Sequence, residues 1–143
     1  MIGVSNFTRR HVDEAIGEIG EGRLATNQVE RHVLLQNHVL ADHCAAHGIA
    51  MTAYQPIGGG NLGDEPELNR IAAKHHATPS QIALAYLLAL DCIVIPKSSS
   101  AQRQEENFRS LDIELDDGDL ASLRKLDRGE RRIDPPSLAP DWD

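Results

Sequence analysis

Residues 93–107 read IVIPKSSSAQRQEEN, and the middle of that stretch holds the side chains best suited to an anion. Pro96 keeps Ile95 extended, so Lys97 emerges at the end of an apolar run. Ser98, Ser99 and Ser100 then stand at the entrance to a helix, where free N–H groups and the helix dipole favour negative charge. Arg103 follows about one turn in and reaches back to the same place. Lysine, hydroxyls, helix N-terminus and arginine together make the donor set of a phosphate site. The plain alternative is a solvated strand-to-helix turn with incidental charges.

A second group sits at the ends of other apolar runs. Tyr54 precedes the Gly-rich loop QPIGGGNLGDE, and an aromatic ring beside such a loop offers a stacking surface for a planar heterocycle. The alternative is a core tyrosine with a satisfied hydroxyl. Ser5, Asn6 and Gln28 are short polar side chains suited to hydrogen-bonding an amide, whereas Asn27 points to the opposite face. Neither a dinucleotide-binding G-x-G-x-x-G nor a P-loop is present, and Gly58-Gly59-Gly60 alone carries little.

Other reactive residues read as structural. His43 and His47 are one helical turn apart, a spacing that suits a metal, but HCAAH lacks the glutamate of H-E-x-x-H and offers no obvious third ligand. They read as a solvent-facing pair, and His75-His76 as helix surface; no metal is expected. Tyr86 lies among leucines and alanines and reads as packing. Cys44 and Cys92 sit in apolar segments and read as buried, reduced thiols of a cytoplasmic protein.

Periodicity and breakers give the elements that must position these groups. Strands are predicted at 2–4, 24–29, 49–54 and 92–95. Helices are predicted at 8–19 with Thr8 as N-cap, at 35–47 stopped by Gly48, at 66–76, and from Thr78 and Pro79 to 90. Two shorter helices follow at 100–108 and 116–126, then an irregular tail from Asp127 with Pro135, Pro136 and Pro140. Strands written as continuous apolar runs, each followed by a helix, predict parallel β/α units buried on both faces. Such an α/β sheet is either a small open sheet or half of an eight-stranded barrel, and in both the ligand sits at the carboxyl ends of the strands.

The totals narrow the partners. The chain has 143 residues, 41% hydrophobic and 25% charged, and a net charge of −8, so no basic stripe for nucleic acid is expected. The apolar run at 82–90 is far short of a membrane span, and no secretory leader is visible.

The ordered motifs GVSNF, NQVE, AYQPIGGG and IPKSSSAQRQEEN resemble the aldo-keto reductase family over essentially all 143 residues. The ending LAPDWD is similar to that of bacterial 2,5-diketo-D-gluconate reductases, which also reduce methylglyoxal and other small aldehydes. The resemblance implies strands 5 to 8 of a TIM (β/α)8 barrel as one partial domain, with residues 1–126 as a half barrel and 127–143 as a tail. It also implies NADPH as cofactor. Ser5, Asn6 and Gln28 would bind the nicotinamide carboxamide, and Tyr54 would stack under the ring. Gln55, Pro56 and Ile57 would cover the pyrophosphate. Lys97, Ser98, Ser99 and Arg103 would grip the 2′-phosphate, while Glu106 and Asn107 hold the adenine.

Arg31 and Val33 stand where the common NQVEYHP pattern has tyrosine and proline. Trp142 and the tail are similar to the family's variable substrate-facing loop. The resemblance puts the catalytic tyrosine, lysine, aspartate and histidine before GVSNF, and so implies no catalytic residue within this chain. Met1 would then mark a cut, and a shortened barrel would leave open sheet edges that invite self-association. The readings that follow are the cofactor half of an NADPH-dependent carbonyl reductase, weakly active or inactive alone, or a non-catalytic nucleotide-binding or assembly module.

Overall fold

Thr8 opens the first helix for a local reason: its hydroxyl accepts the N–H of His11, whose ring in turn faces the Thr8 N–H. The same reciprocal arrangement joins Thr78 to Gln81 and Asp116 to Asp119 at two later helices. The computed structural model describes residues 1–60, 62–135, 139, 140 and 142. Pro136, Asn61 and the rest of LAPDWD apart from Ala139, Pro140 and Trp142 lie outside them.

Among the described residues, four strands are β1 (Ile2–Ser5), β2 (Leu24–Glu30), β3 (Ala50–Tyr54) and β4 (Ile93–Val94). They form one parallel sheet in chain order, with Ser5 opposite Gln28 and Glu30 opposite Tyr54. The helices are α1 (Arg9–Ile19), α2 (His38–Ala46), α3 (Pro66–Lys74), α4 (Pro79–Ala89), α5 (Ala101–Phe108) and α6 (Asp117–Arg124). Short 3₁₀ turns at Gly58–Gly60 and Arg109–Asp112 complete the order.

Two expectations need correction. The strands are not all buried on both faces. Val29, Met51 and Ala53 point into the core with Val12, Cys44 and Ile82, but the opposite face is polar, with Thr52 buried, Thr26 and Gln28 half-buried and Ser5 exposed. Ile2 and Ile93, on the two edge strands, are more than half exposed. The predicted second helix also starts too early. Residues 32–35 close a tight turn in which the backbones of His32 and Leu35 pair with each other, and helix begins only at His38. The apolar spacing of Leu35, Val39 and Leu40 mimicked helix, whereas Leu35 is buried in a turn. A smaller difference concerns His75 and His76, which lie just past α3, with His76 left-handed.

The turn matters because it is buried. Gln36 fills the interior with its amide donating to Val33 O at 2.7 Å and Leu123 O at 2.8 Å, while its carbonyl accepts the Tyr86 hydroxyl at 2.5 Å. Arg31 takes the place where the family pattern has tyrosine and donates to Gln36 O at 2.8 Å. One amide thereby ties α4 and α6 to the loop after β2. Both cysteines are free and buried, as expected. Gln36→Ala is expected to cost about 2–3 kcal/mol, since it orphans several buried groups, and Tyr86→Phe about 1 kcal/mol. The two urea-unfolding midpoints should fall in that order.

Candidate functional site

The carboxyl ends of the four strands lie at one end of the sheet, and the polar residues singled out above collect there. At the end of β1 the chain turns through Asn6, whose φ of 57° is left-handed. Asn6 N–H donates to Gln28 O at 2.9 Å, and the Ser5 hydroxyl donates to the same carbonyl at 2.9 Å. On the helix side, buried Asn27 donates to Phe7 O and accepts from Phe7 N–H. That contact fixes the turn and agrees with the orientation expected for Asn27. The Tyr54 hydroxyl crosses the end of β2 to donate to Asn6 Oδ1 at 3.1 Å. Burial raises the Tyr54 pKa, so its phenol stays protonated. Ser5, Asn6, Gln28 and Tyr54 thus belong to one surface.

Beyond Tyr54 the chain continues through Gln55, again left-handed with φ 53°, into three successive glycines with φ of 54°, 72° and 85°. Only glycine adopts three such conformations in a row without strain. Their turn, with Pro56 and Ile57, walls a cleft of about 480 Å³ that runs from Tyr54 to Lys97 and Arg103. A second cleft of about 380 Å³ shares Ile57, Gly60, Lys97 and Arg103, and continues past Ser98 and Ser99 to Glu106 and Asn107. The two make one groove from an aromatic face to the N-terminus of α5.

The serines at that terminus are partly engaged. Ser100 is the N-cap and accepts the Arg103 N–H at 3.4 Å, while Ser98 Oγ accepts the Ser100 N–H at 3.1 Å. Among the described residues, the Lys97 side chain and the Arg103 guanidinium have no acidic partner. Two unneutralised cations in one groove of a protein with net charge −8 are a donor set for an anion. Thr78 and Ser80 also line this groove, at the start of α4. In the sequence Thr78 shows only as a helix cap, because the start of a helix gives no local sign that it borders a site.

Glu30 is another strand-end residue, and its sequence context gives it no role. Its side chain is fully buried at the end of β2 and accepts the backbone N–H of Arg132 at 2.6 Å and of Ile133 at 2.8 Å. His32 Nε2 lies 3.1 Å from the same carboxylate, while its Nδ1 accepts the Leu34 N–H. Burial lowers the His32 pKa below 6.5, against the opposing pull of Glu30, and the imidazole is neutral. The carboxylate pins an otherwise irregular tail beside the strand ends. There Trp142 donates to Asp134 under the guanidinium of Arg131, 3.5 Å from its ring centre. Trp142 and Arg131 border a hollow of about 730 Å³ against the start of α2.

Residues 1–128 match the model of the aldo/keto reductase family. Methylglyoxal reductase DkgB of Escherichia coli O157:H7 is 37% identical over 142 residues, which are 99% of this chain and 53% of that protein. A crystal structure assigned as 2,5-diketo-D-gluconic acid reductase B superposes with a TM-score of 0.93 at 34% identity, over 99% of this chain and 51% of the other. MGS-M4, an aldo-keto reductase from a Medee basin deep-sea metagenome library, gives 0.88 at 37% identity, over 93% and 50%. The chain spans about half the length of these relatives.

The neutral, buried His32 sets a pH dependence. Its folded pKa lies below the unfolded value, so the unfolded chain takes up the proton first and stability falls as pH drops below about 6.5. Above that pH the contribution is fully present. Urea unfolding between pH 5 and pH 8 (about the range where an unperturbed imidazole titrates) should show this slope, and His32→Gln should flatten it. Glu30→Ala should release the Arg132 and Ile133 amides to fast hydrogen exchange.

Proposed function

The chain belongs to the aldo/keto reductase family, and from that membership we propose that its strand-end groove is the NADPH site of a carbonyl-reducing barrel. Members of the family work with NAD(P)H. The groove fits that class of ligand in three respects: an aromatic face at one end, a glycine turn that permits close approach, and paired cations at the other. The single observation that carries the preference for a 2′-phosphate is Lys97 and Arg103 on one shared wall, without acidic partners among the described residues. In this reading the sheet supplies strands five to eight of an eight-stranded barrel.

Bound there, NADPH supplies a hydride for a carbonyl carbon. The chain's own residues bind and orient. Ser5, Asn6 and Gln28 hold the carboxamide, and the Tyr54–Asn6 hydrogen bond sets the stacking face beside them. Gln55, Pro56 and Ile57 cover the pyrophosphate. Lys97, Ser98, Ser99 and Arg103 grip the 2′-phosphate, and Glu106 and Asn107 receive the adenine. The substrates are small aldehydes or ketones, in keeping with the name of the E. coli relative.

A proton donor for the carbonyl oxygen is not among the tyrosines here. Tyr54 donates to Asn6, and Tyr86 is buried and donates to Gln36. We therefore expect the 143-residue chain to bind cofactor without reducing carbonyls at the rate of a family enzyme. A second reading, a nucleotide-binding module without turnover, draws on the same two hydroxyls.

Fluorescence titration tests the site. Lys97→Ala and Arg103→Ala should each weaken NADPH about tenfold, as loss of a charge-assisted contact would, and leave NADH nearly unchanged. Equal weakening of both cofactors would sink the assignment. Cofactor consumption with methylglyoxal should stay at background; turnover matching a full-length relative would refute the binding-only expectation.

A further inference from the structure

Away from the groove, α1 and α2 bring together three side chains that the cofactor reading leaves unused. Asp13 lies on α1, His43 in the last turn of α2, and His47 at the α2 C-cap. Each offers one ligand atom, and the three atoms lie within 4.8 Å of one another. His43 Nε2 is 2.8 Å from Asp13 Oδ1, and the two imidazoles meet edge to face with centroids 5.0 Å apart. HCAAH by itself offers no third ligand. The fold supplies it from a residue 30 positions upstream.

We propose that Asp13, His43 and His47 form a binding site for one divalent transition-metal ion of the zinc class. Two imidazoles and a carboxylate are a familiar donor set for such ions, with a fourth position left for water. A tetrahedral ion with bonds of about 2.0–2.1 Å needs donors about 3.4 Å apart, which small rotations of partly exposed side chains achieve. Two surroundings favour the ion. Glu21 Oε1 lies 3.2 Å from His47 Nδ1, the outer-sphere contact that orients a ligating imidazole and leaves Nε2 for the metal. The C-terminus of α2 adds the negative end of its dipole. The ion would clamp α1 to α2, and its role is structural.

Cys44 lies between the histidines in sequence but is fully buried. That distinction gives the site a spectroscopic signature. The intact 143-residue chain is titrated with Zn2+ by calorimetry in a non-chelating buffer, and with Co2+ by visible absorption. The expected result is one equivalent bound, a raised Tm, and Co2+ ligand-field bands without thiolate charge transfer. Asp13→Asn, His43→Gln and His47→Gln should each weaken Zn2+ about tenfold or more, because even outer-sphere partners are worth 10–100-fold (about). Circular dichroism checks that each variant is folded, and His76→Gln, outside the cluster, should bind as the unmodified chain does. No saturable binding, binding unchanged by Asp13→Asn, or a thiolate charge-transfer band would each overturn the proposal.

Discussion

Residues 31–36 are buried along their whole length, and a buried connection must find a partner for every polar group it carries. Most loops evade that constraint by lying in water. Here it is met by one amide. Gln36 draws in the carbonyls of Val33 and Leu123 and the Tyr86 hydroxyl, Arg31 caps its own carbonyl, and its N–H reaches Asp127 at 3.2 Å. From the same loop, Leu34 O accepts the N–H of Arg128 and of Glu130. Helix α6 and the tail are therefore held by the interior of the β2–α2 connection as well as by Leu120, Leu123 and Leu126 against the core.

The strand ends inherit their geometry from that hub. Once Arg31 to Gln36 are fixed, Glu30 is fixed, and its carboxylate draws the Arg132 and Ile133 amides to the site end of the sheet. Asn37, left-handed, donates to Glu30 O at 2.7 Å and closes the circuit just before α2. A buried charge held by backbone N–H groups and a neutral histidine is stable only while all of them are in place. This couples the tail to the sheet more tightly than its irregular backbone suggests.

Much of this was legible in the sequence, and unevenly so. Local signals carried the helix starts, since Thr8, Thr78 and Asp116 cap by contacts within three residues. Apolar runs and breakers carried the strands of the sheet and the order of their chemistry-bearing ends. Parallel strands end on the same side, which is why Tyr54 and Lys97 share one end of the sheet, whereas Pro56, Ile57, Glu106 and Asn107 were singled out only by the family resemblance. What stayed hidden was non-local. Nothing in NQVERHVLLQN indicates that its polar groups are satisfied by residues about ninety positions away, and its end from Leu35 onward read as helix. Asp13 likewise becomes a neighbour of His43 only through the packing of α1 on α2.

The caps at α5 have a further consequence for how an anion is held. Ser98 and Ser100 spend their hydroxyls on the helix's own first turn, closing it before any guest arrives. A guest oxygen thus competes with an internal cap, and the net gain from the hydroxyls is small. Attraction is left chiefly to Lys97 and Arg103, both solvent-exposed. Exposed charges are screened over about 8 Å at physiological ionic strength. The grip at this end is therefore an ionic tether whose strength is set by the surrounding electrolyte, whereas the stacking face at Tyr54 owes almost nothing to it.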